Sequence, residues 1–251
     1  MSEYAFDADF ISVPINARPS AENPVIVYHK LRKPTLGELI ERENQIKYEL
    51  VEISSREDEI QTEDESANAR LWDKIAVAVK GYRGAEDWRD LTDEDKAGMR
   101  SGHKSAAIRA LYAGTCEVEG DEDGISIGAD TWTVKQSITH GGRKDPPEFV
   151  VRHILREPTE AERVKFKRSA SSTSYVKGAK TPQVRIKTNL RAFVELYDAL
   201  IQRIEGATAV VGWNEVAGTE NVRLFLKEID PIWKRQVVQT LMANLEAQLS
   251  D

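Results

Sequence analysis

The chain has a single cysteine, Cys116, among its 251 residues, so it cannot form an intrachain disulfide. It also has no apolar run near the roughly 20 residues that a membrane-spanning helix needs. Residues 1–10 lack a basic start and an apolar core, and we therefore expect no secretory signal peptide. Two common catalytic motifs, the phosphate loop with Gly-Lys-Ser/Thr and His-Glu-x-x-His, are absent. These absences favour a protein of a reducing compartment with no role in a membrane.

Charge, in contrast, is abundant and unevenly distributed. Charged residues make up 31% of the chain and hydrophobic residues 40%, as in an ordinary globular protein. The net charge of −7 argues against nucleic acid as the main partner of the whole surface. A local basic patch is still compatible with this balance.

The most informative feature is an internal match at a constant offset of 124 residues. Six residues recur at this spacing, and a fixed offset is the signature of a repeat. The first copies are His29, Leu31, Arg32, Pro34, Thr35 and Glu38, and the second are His153, Leu155, Arg156, Pro158, Thr159 and Glu162.

Weaker matches continue along the chain at offsets of 125 and 130 residues. The pairs are Leu71-Trp72-Asp73 with Leu196-Tyr197-Asp198, Trp88 with Trp213, and Lys104, Ile108 and Leu111 with Lys234, Val238 and Leu241. The matched positions are capping, apolar and charged residues, and no catalytic motif recurs with them. The duplication therefore predicts scaffolding or assembly rather than chemistry.

Each copy contains a helix-start signal. Thr35 and Glu38, and likewise Thr159 and Glu162, have the spacing of a capping box, in which the threonine hydroxyl and the glutamate carboxylate bind each other's backbone amides. Apolar residues after Thr35 follow a helical stripe, which predicts a helix to about residue 60.

The patterns predict an α+β protein with two homologous, mainly helical subdomains, each opened by a short strand. Further helices are predicted at 71–79, 101–112, 189–204 and 230–249, and a polar stretch at 169–181 is expected to be mobile or ordered by a partner. The predicted divisions are an extended arm at 1–24, a first repeat at 25–114, a β-hairpin insert and linker at 115–144, and a second repeat at 145–251.

Corresponding segments of the two repeats carry opposite charge. Residues 38–65 include 11 acidic and three basic residues, and residues 163–191 include nine basic and no acidic residues. Four interpretations are open: attraction within a chain, a head-to-tail contact between chains, binding of nucleic acid, and two solvated faces. The candidate partner-binding residues are Arg163, Lys165, Lys167, Arg168, Lys177, Lys180, Arg185, Lys187 and Arg191.

Other residues with chemical potential have simpler explanations. His29 and His153 have no second ligand at metal spacing, and we expect each to make a structural hydrogen bond. The acidic residues 121–123 lack the alternating ligands of a calcium loop and are expected to form a hairpin turn. We therefore predict no catalytic site, no metal site and no cofactor.

A strand followed by Leu-Arg-x-Pro-Thr-x-x-Glu, at 31–38 and again at 155–162, resembles a short signature of bacteriophage tail-assembly proteins. The resemblance covers about ten residues in each copy. It implies a phage-type protein that resides in the virion or the host cytoplasm.

These observations together predict a non-enzymatic phage-type structural or assembly protein. It would be a tail, neck or capsid component, or a tail-assembly chaperone, and would contact itself or other phage structural proteins. The alternative is a protein that contacts nucleic acid through residues 163–191.

Overall fold

The structure is a computed structural model that describes residues 4–5, 8–18, 23–54, 57–119, 131–140, 149–175, 184–211, 214–217 and 222–248. The N-terminal half (residues 4–111) contains β1 (Tyr4–Ala5), β2 (Phe10–Asn16), β3 (Ile26–Arg32), α1 (Leu36–Gln45), β4 (Lys47–Ser54), β5 (Glu57–Glu63), α2 (Glu65–Ile75), β6 (Ala76–Lys80), β7 (Arg89–Asp90), α3 (Asp93–Gly98) and α4 (Ser101–Leu111). The C-terminal half (residues 114–248) contains β8 (Gly114–Val118), β9 (Thr131–Ile138), β10 (Phe149–Arg156), α5 (Glu160–Ser169), β11 (Ser171–Tyr175), β12 (Val184–Thr188), α6 (Leu190–Leu200), β13 (Ile201–Glu205), β14 (Ala207–Val211), β15 (Asn214–Ala217), α7 (Val222–Phe225) and α8 (Pro231–Gln248).

The strands form antiparallel sheets, apart from the parallel pair β1 and β14. One sheet in each half has a central strand, β3 or β10, and the sheet orders are β2-β3-β6-β7 and β13-β10-β9-β8. A third sheet, β11-β12-β4-β5, takes one hairpin from each half. The mixed α and β class predicted from the sequence is confirmed.

Each four-stranded sheet of one half packs against helices of that half. The N-terminal cluster is built on Leu31, Leu39, Trp72 and Ile108, and the C-terminal cluster on Leu155, Tyr197 and Val238, among others. In α2 the buried residues recur with helical periodicity, which explains why this segment folds as an amphipathic helix. Leu190 and Ile232 belong to the C-terminal half but join the N-terminal cluster, so the halves share apolar contacts.

The predicted helix to residue 60 is wrong, because α1 ends at Gln45 and two strands follow. Residues 46, 50 and 53 fit one stripe of a helix, but Tyr48 and Leu50 also alternate with charged residues, as in a strand. Six residues of β4 pair with β5 in one register, from Lys47 opposite Glu63 to Glu52 opposite Asp58, and Ser54 pairs with Glu57 after a register shift. The acidic stretch Glu57–Glu63 is therefore the partner strand of this hairpin.

The helices predicted at 71–79 and 189–204 each end earlier and continue directly into a strand. α2 gives way to β6 at Ala76, and α6 gives way to β13 at Ile201. A continuous apolar run fits a buried helix and a buried strand equally well. Pairing with the central strands β3 and β10 decides between them, and this information is not local.

The predicted arm at 1–24 and the predicted insert at 115–144 both contribute strands to the main sheets. β2 pairs with β3 along its whole length, and Pro14 is tolerated because β2 lies at the sheet edge. β8 and β9 share a sheet with β10 and β13, so they are not a separate insert. The halves accordingly contain more strand structure than the mainly helical subdomains that were predicted.

Two further predictions fall partly outside the described residues. Within the polar stretch at 169–181, Ser171–Tyr175 forms β11, while residues 176–181 are not described. The acidic turn at 121–123 is also outside the described residues. No helix of the described chain is long and apolar enough to cross a bilayer.

Candidate functional site

The repeated signature forms the same set of contacts in both halves. Thr35 Oγ1 accepts a hydrogen bond from the Glu38 amide (3.2 Å), and Glu38 Oε2 accepts one from the Thr35 amide (2.8 Å). The corresponding distances at Thr159 and Glu162 are 3.3 and 2.9 Å. Both threonines thus cap their helices, α1 and α5, in the geometry that the Thr-x-x-Glu spacing predicts.

An arginine completes the signature and was not assigned a role from the sequence. Arg32 donates to both carboxylate oxygens of Glu38 (3.0 and 2.5 Å), and Arg156 does so to Glu162 (2.8 and 2.6 Å). The arginine hydrogen bond and the threonine donors lower the pKa of each glutamate to about 2. The bidentate pair ties the end of the central strand to the first turn of the helix.

Removing either cap should have a measurable cost. We expect Thr35→Ala and Thr159→Ala each to lower the free energy of unfolding by about 0.5–2 kcal/mol, since a helix amide loses its acceptor. Denaturant midpoints at constant m-value report this change. Thr35→Ser and Thr159→Ser retain the hydroxyl and serve as matched controls. Equal midpoints for the alanine variants and the parent would show that the caps do not contribute to stability.

His29 lies at the centre of a buried polar chain in the N-terminal half. Trp72 Nε1 donates to His29 Nδ1 (3.0 Å), so the ring proton is on Nε2, which donates to the Tyr82 hydroxyl (3.0 Å). The Tyr82 hydroxyl then donates to His103 Nδ1 (3.2 Å). Burial, with a smaller contribution from His103, lowers the pKa of His29 to about 3. The imidazole is neutral and structural at neutral pH.

His153 occupies the corresponding place in the C-terminal half with the same tautomer. The Tyr197 hydroxyl donates to His153 Nδ1 (2.7 Å), and Nε2 donates to Gln136 Oε1 (3.2 Å). Burial lowers the pKa of His153 to about 3. Tyr197 matches Trp72 at offset 125, so each central histidine accepts a hydrogen bond from the aromatic residue of the matched helix.

The matched lysines bind the aspartates next to these aromatic residues. Lys104 Nζ lies 2.6 Å from Asp73 Oδ1 and 5.3 Å from the centre of the Trp72 ring. Lys234 Nζ lies 2.6 Å from Asp198 Oδ1 and 5.5 Å from the Tyr197 ring. The sequence aligned these residues, but it did not reveal that they pair.

A buried carboxylate connects the two halves. The side chain of Glu43 is 1% exposed and receives Arg42 Nη1 (2.6 Å) and Arg235 Nη1 (2.7 Å), the latter from α8. Arg42 also donates to Asn68 (2.7 Å). At the positions that correspond to Arg42 and Asn68, the C-terminal half has Phe166 and Phe193, whose rings pack edge to face at 4.9 Å. The ionic cluster is thus specific to the N-terminal half and to its contact with α8.

The candidate basic residues are distributed over α5, the following hairpin and the start of α6. Lys165, Lys167, Arg168, Lys187 and Arg191 are exposed, whereas Lys177 and Lys180 lie outside the described residues. Arg163 pairs with Glu160 (3.0 Å), and Lys167 pairs with Glu246 (2.9 Å). Arg185 is opposite Glu49 where β12 meets β4. The acidic and basic hairpins therefore share one sheet within a single chain.

One cavity near these cations lies where the two halves meet. It has a volume of about 330 Å³, and Arg168 and Lys187 contribute to its lining together with Glu43 and Leu190. Arg168 and Lys187 are positive and Glu43 is negative, so the lining includes both charge signs. The Glu43 carboxylate is already bound by two arginines. This lining does not indicate a specific ligand.

The described residues do not assemble a recognisable catalytic or metal centre. They contain no group of three or more His, Cys, Asp or Glu side chains suited to a metal. Burial raises the pKa of the Cys116 thiol to about 12, so thiolate is scarce at neutral pH. Residues 124–128 read Gly-Ile-Ser-Ile-Gly, which fits the Gly-x-Ser-x-Gly pattern of serine hydrolases. These residues lie outside the part of the chain that the structure describes.

The tryptophans differ in their surroundings. Trp72 and Trp233 are buried, Trp132 is half-buried, and Trp88 is 45% exposed. Trp213 is outside the described residues. Trp72 and Trp233 are therefore core residues.

The chain matches no protein-family model, no curated protein and no solved structure.

Proposed function

We propose that this chain is a non-enzymatic structural or assembly protein of bacteriophage type that acts through protein–protein contacts. A tail, neck or capsid component and a tail-assembly chaperone all fit this role, in the virion or in the host cytoplasm. The observation that carries the proposal is that the residues recurring between the halves make internal structural contacts. The signature residues cap helices, and the matched histidines and lysines are bound by side chains of their own half.

We also propose that the chain consists of two copies of one unit, which begin at β2 and β9. In support of this, the orders β2-β3-α1-β4-β5-α2-β6 and β9-β10-α5-β11-β12-α6-β13 are the same. The central strands have a register irregularity at equivalent places, between Lys30 and Leu31 and between Ile154 and Leu155.

Two glycines give independent support for the duplication. Gly81 and Gly206 have φ angles of +86° and +77°, a conformation that side chains rarely adopt. A Cβ atom would lie 3.1 Å from the Ile26 carbonyl oxygen at Gly81 and 2.3 Å from that of Val150 at Gly206. Ile26 and Val150 are themselves 124 residues apart, so the same close approach recurs in both halves.

Protein contact is favoured over nucleic acid by the placement of charge. The basic hairpin β11–β12 adjoins the acidic hairpin β4–β5, and the acidic strand β5 would repel phosphate groups near the same sheet. The alternative of nucleic-acid binding is supported by the exposed cations Lys165, Arg168, Lys187 and Arg191.

Gradient sedimentation at low and high salt, with and without duplex DNA, tests the proposal. We expect the protein to form assemblies, alone or with phage structural proteins, that high salt weakens, and we expect added DNA to leave its sedimentation unchanged. The triple variant Lys165→Glu, Lys167→Glu and Arg168→Glu should assemble less well than the parent. A control with the same charge change, Arg70→Glu, Arg83→Glu and Lys227→Glu, should behave like the parent. A monomer that shifts only with DNA, and loses this shift in the first variant, would replace the proposal with the alternative.

A further inference from the structure

The sheet β11-β12-β4-β5 contains a contact between the two halves that other copies of the chain can repeat. Each half contributes one hairpin, which follows the signature helix of that half: β4–β5 follows α1, and β11–β12 follows α5. We propose that the two outer strands of this sheet, β5 and β11, join copies of this chain head to tail. This inference rests on the proposed duplication and identifies the partner as a second copy.

The topology of the sheet leads to this pairing. Inside the chain, the second strand of one hairpin, β12, pairs antiparallel with the first strand of the other, β4. The contact is heterologous, because the two hairpins use different strands. Among the strands of this sheet, the remaining second strand is β5 and the remaining first strand is β11. Placing β5 of one chain beside β11 of the next therefore repeats the same type of contact and preserves the antiparallel alternation.

Both strands have the backbone groups that such a contact requires. Within the described residues, β5 pairs only with β4, and β11 pairs only with β12. They have seven and five residues. An edge strand presents unpaired amide and carbonyl groups, and strand addition satisfies them on both sides.

Charge selects the β5–β11 pairing over the two symmetric alternatives. β5 contains Glu57, Asp58, Glu59 and Glu63 and no basic residue, so two β5 strands would place acidic residues opposite each other. β11 has no charged residue but follows α5, whose exposed cations include Lys165 and Arg168. Two β11 edges would bring two basic helices together, whereas β5 against β11 brings acidic residues towards cations.

The strand pairing within the chain also brings basic residues next to acidic ones. β12 contains Arg185 and Lys187 and no acidic residue, and β4 contains Glu49 and Glu52. The intrachain contact thus also joins a basic hairpin to an acidic one. A heterologous contact of this type continues from chain to chain, and closes into a ring or extends as a filament depending on the rotation between copies.

Proline substitutions on the full chain test each edge. Neighbouring amides of a strand point to opposite sides. The variants are therefore made in pairs, Glu59→Pro and Ile60→Pro on β5, and Thr173→Pro and Ser174→Pro on β11. In each pair, one variant removes an amide that points out of the sheet, and the other removes an amide that is hydrogen-bonded inside the hairpin. The member of each pair that keeps the parent's thermal midpoint is the edge-blocked variant. Triple reversal of Glu57, Asp58 and Glu59 to lysine is an independent block for β5.

Sedimentation velocity then distinguishes the possible contacts. We expect the parent to form species larger than dimers at low salt, each edge-blocked variant to remain monomeric, and an equimolar mixture of the two variants to stop at one-to-one dimers. The lysine variant should associate about tenfold more weakly than the parent.

Three results would overturn the inference. They are a parent that is monomeric at its highest soluble concentration, edge-blocked variants that assemble like the parent, and loss of assembly from blocking only one of the two edges. Assembly that survives both edge blocks would leave the proposed function in place. A parent that associates with no protein and shifts only with DNA would instead remove the proposed function.

Discussion

Replacing Glu43 with alanine is expected to lower the free energy of unfolding by about 3–5 kcal/mol, the usual effect of removing one partner from a buried ion pair. Glu43 is buried between Arg42 and Arg235, whose side chains are also largely shielded from water. Its removal leaves two guanidinium groups without their carboxylate at the contact between the halves. Urea unfolding of the variant and the parent measures the difference.

Helix α5 supplies a matched control for this variant. Lys167 is at the position in α5 that corresponds to Glu43 in α1, and it forms an exposed ion pair with Glu246. Lys167→Ala should change stability by no more than about 1 kcal/mol, as is usual for surface pairs. A double-mutant cycle of Glu43→Ala with Arg235→Ala would give the coupling across the two halves. Equal effects of Glu43→Ala and Lys167→Ala would contradict the assignment of Glu43 as a buried link.

Acidification from pH 7 to pH 5 is expected to lower the free energy of unfolding, through His29, His153 and Asp230 together, by about 3 kcal/mol. His29 and His153 have folded-state pKa values of about 3, below the ordinary value of 6.5. Between these two values the unfolded chain binds more protons than the folded chain, so stability falls as the pH falls. Relative to pH 7, the two histidines together lower the free energy of unfolding at pH 5 by about 4 kcal/mol.

Asp230 acts in the opposite direction over the same interval. Its carboxylate is buried, and this raises its folded pKa to about 6 from the ordinary 3.8. As the pH falls, the folded chain therefore takes up a proton at Asp230 before the unfolded chain does. This raises the free energy of unfolding by about 1 kcal/mol between pH 7 and pH 5. Glu38 and Glu162, with pKa values of about 2, reduce stability only at lower pH, as the pH falls below their ordinary value of 4.5.

Variants separate these contributions in urea unfolding at pH 7, 6 and 5. His29→Gln and His153→Gln should each remove about half of the loss that these two histidines cause, because glutamine does not titrate. Asp230→Asn should make the loss steeper. A parent with the same stability at pH 5 and pH 7 would show that the histidines are not buried in their neutral form.

The local features of this protein could be predicted because neighbouring residues determine them. A capping box needs only a threonine and a glutamate three residues apart, so Thr35 and Thr159 were found as caps from the sequence. Asp230 caps α8 through an equally local contact, since its Oδ1 accepts the Ile232 amide (2.8 Å). The constant spacing of the signature also matched His29 with His153, and each Nδ1 accepts a hydrogen bond from an aromatic side chain.

The positions of the strands depended on residues distant in the sequence. The central strands β3 and β10 decide whether two segments continue a helix or form a strand. These segments are Ala76–Lys80 and Ile201–Glu205, and each lies more than 40 residues from the central strand with which it pairs. In residues 10–16, Ile11, Val13 and Ile15 alternate with more polar positions as in a strand, but Pro14 argues against one. Pairing with β3 decides that this segment is a strand.

The sequence alone determined the helix caps, the repeated signature and the opposite charges of the segments 38–65 and 163–191. Only the tertiary structure decided that these segments contribute hairpins to one sheet, and that Glu43 is buried between two arginines. The physical reason is the distance along the sequence over which each feature is determined. A cap or a charge count depends on a few adjacent residues, whereas strand pairing and the burial of a charge depend on which distant segments fold against them.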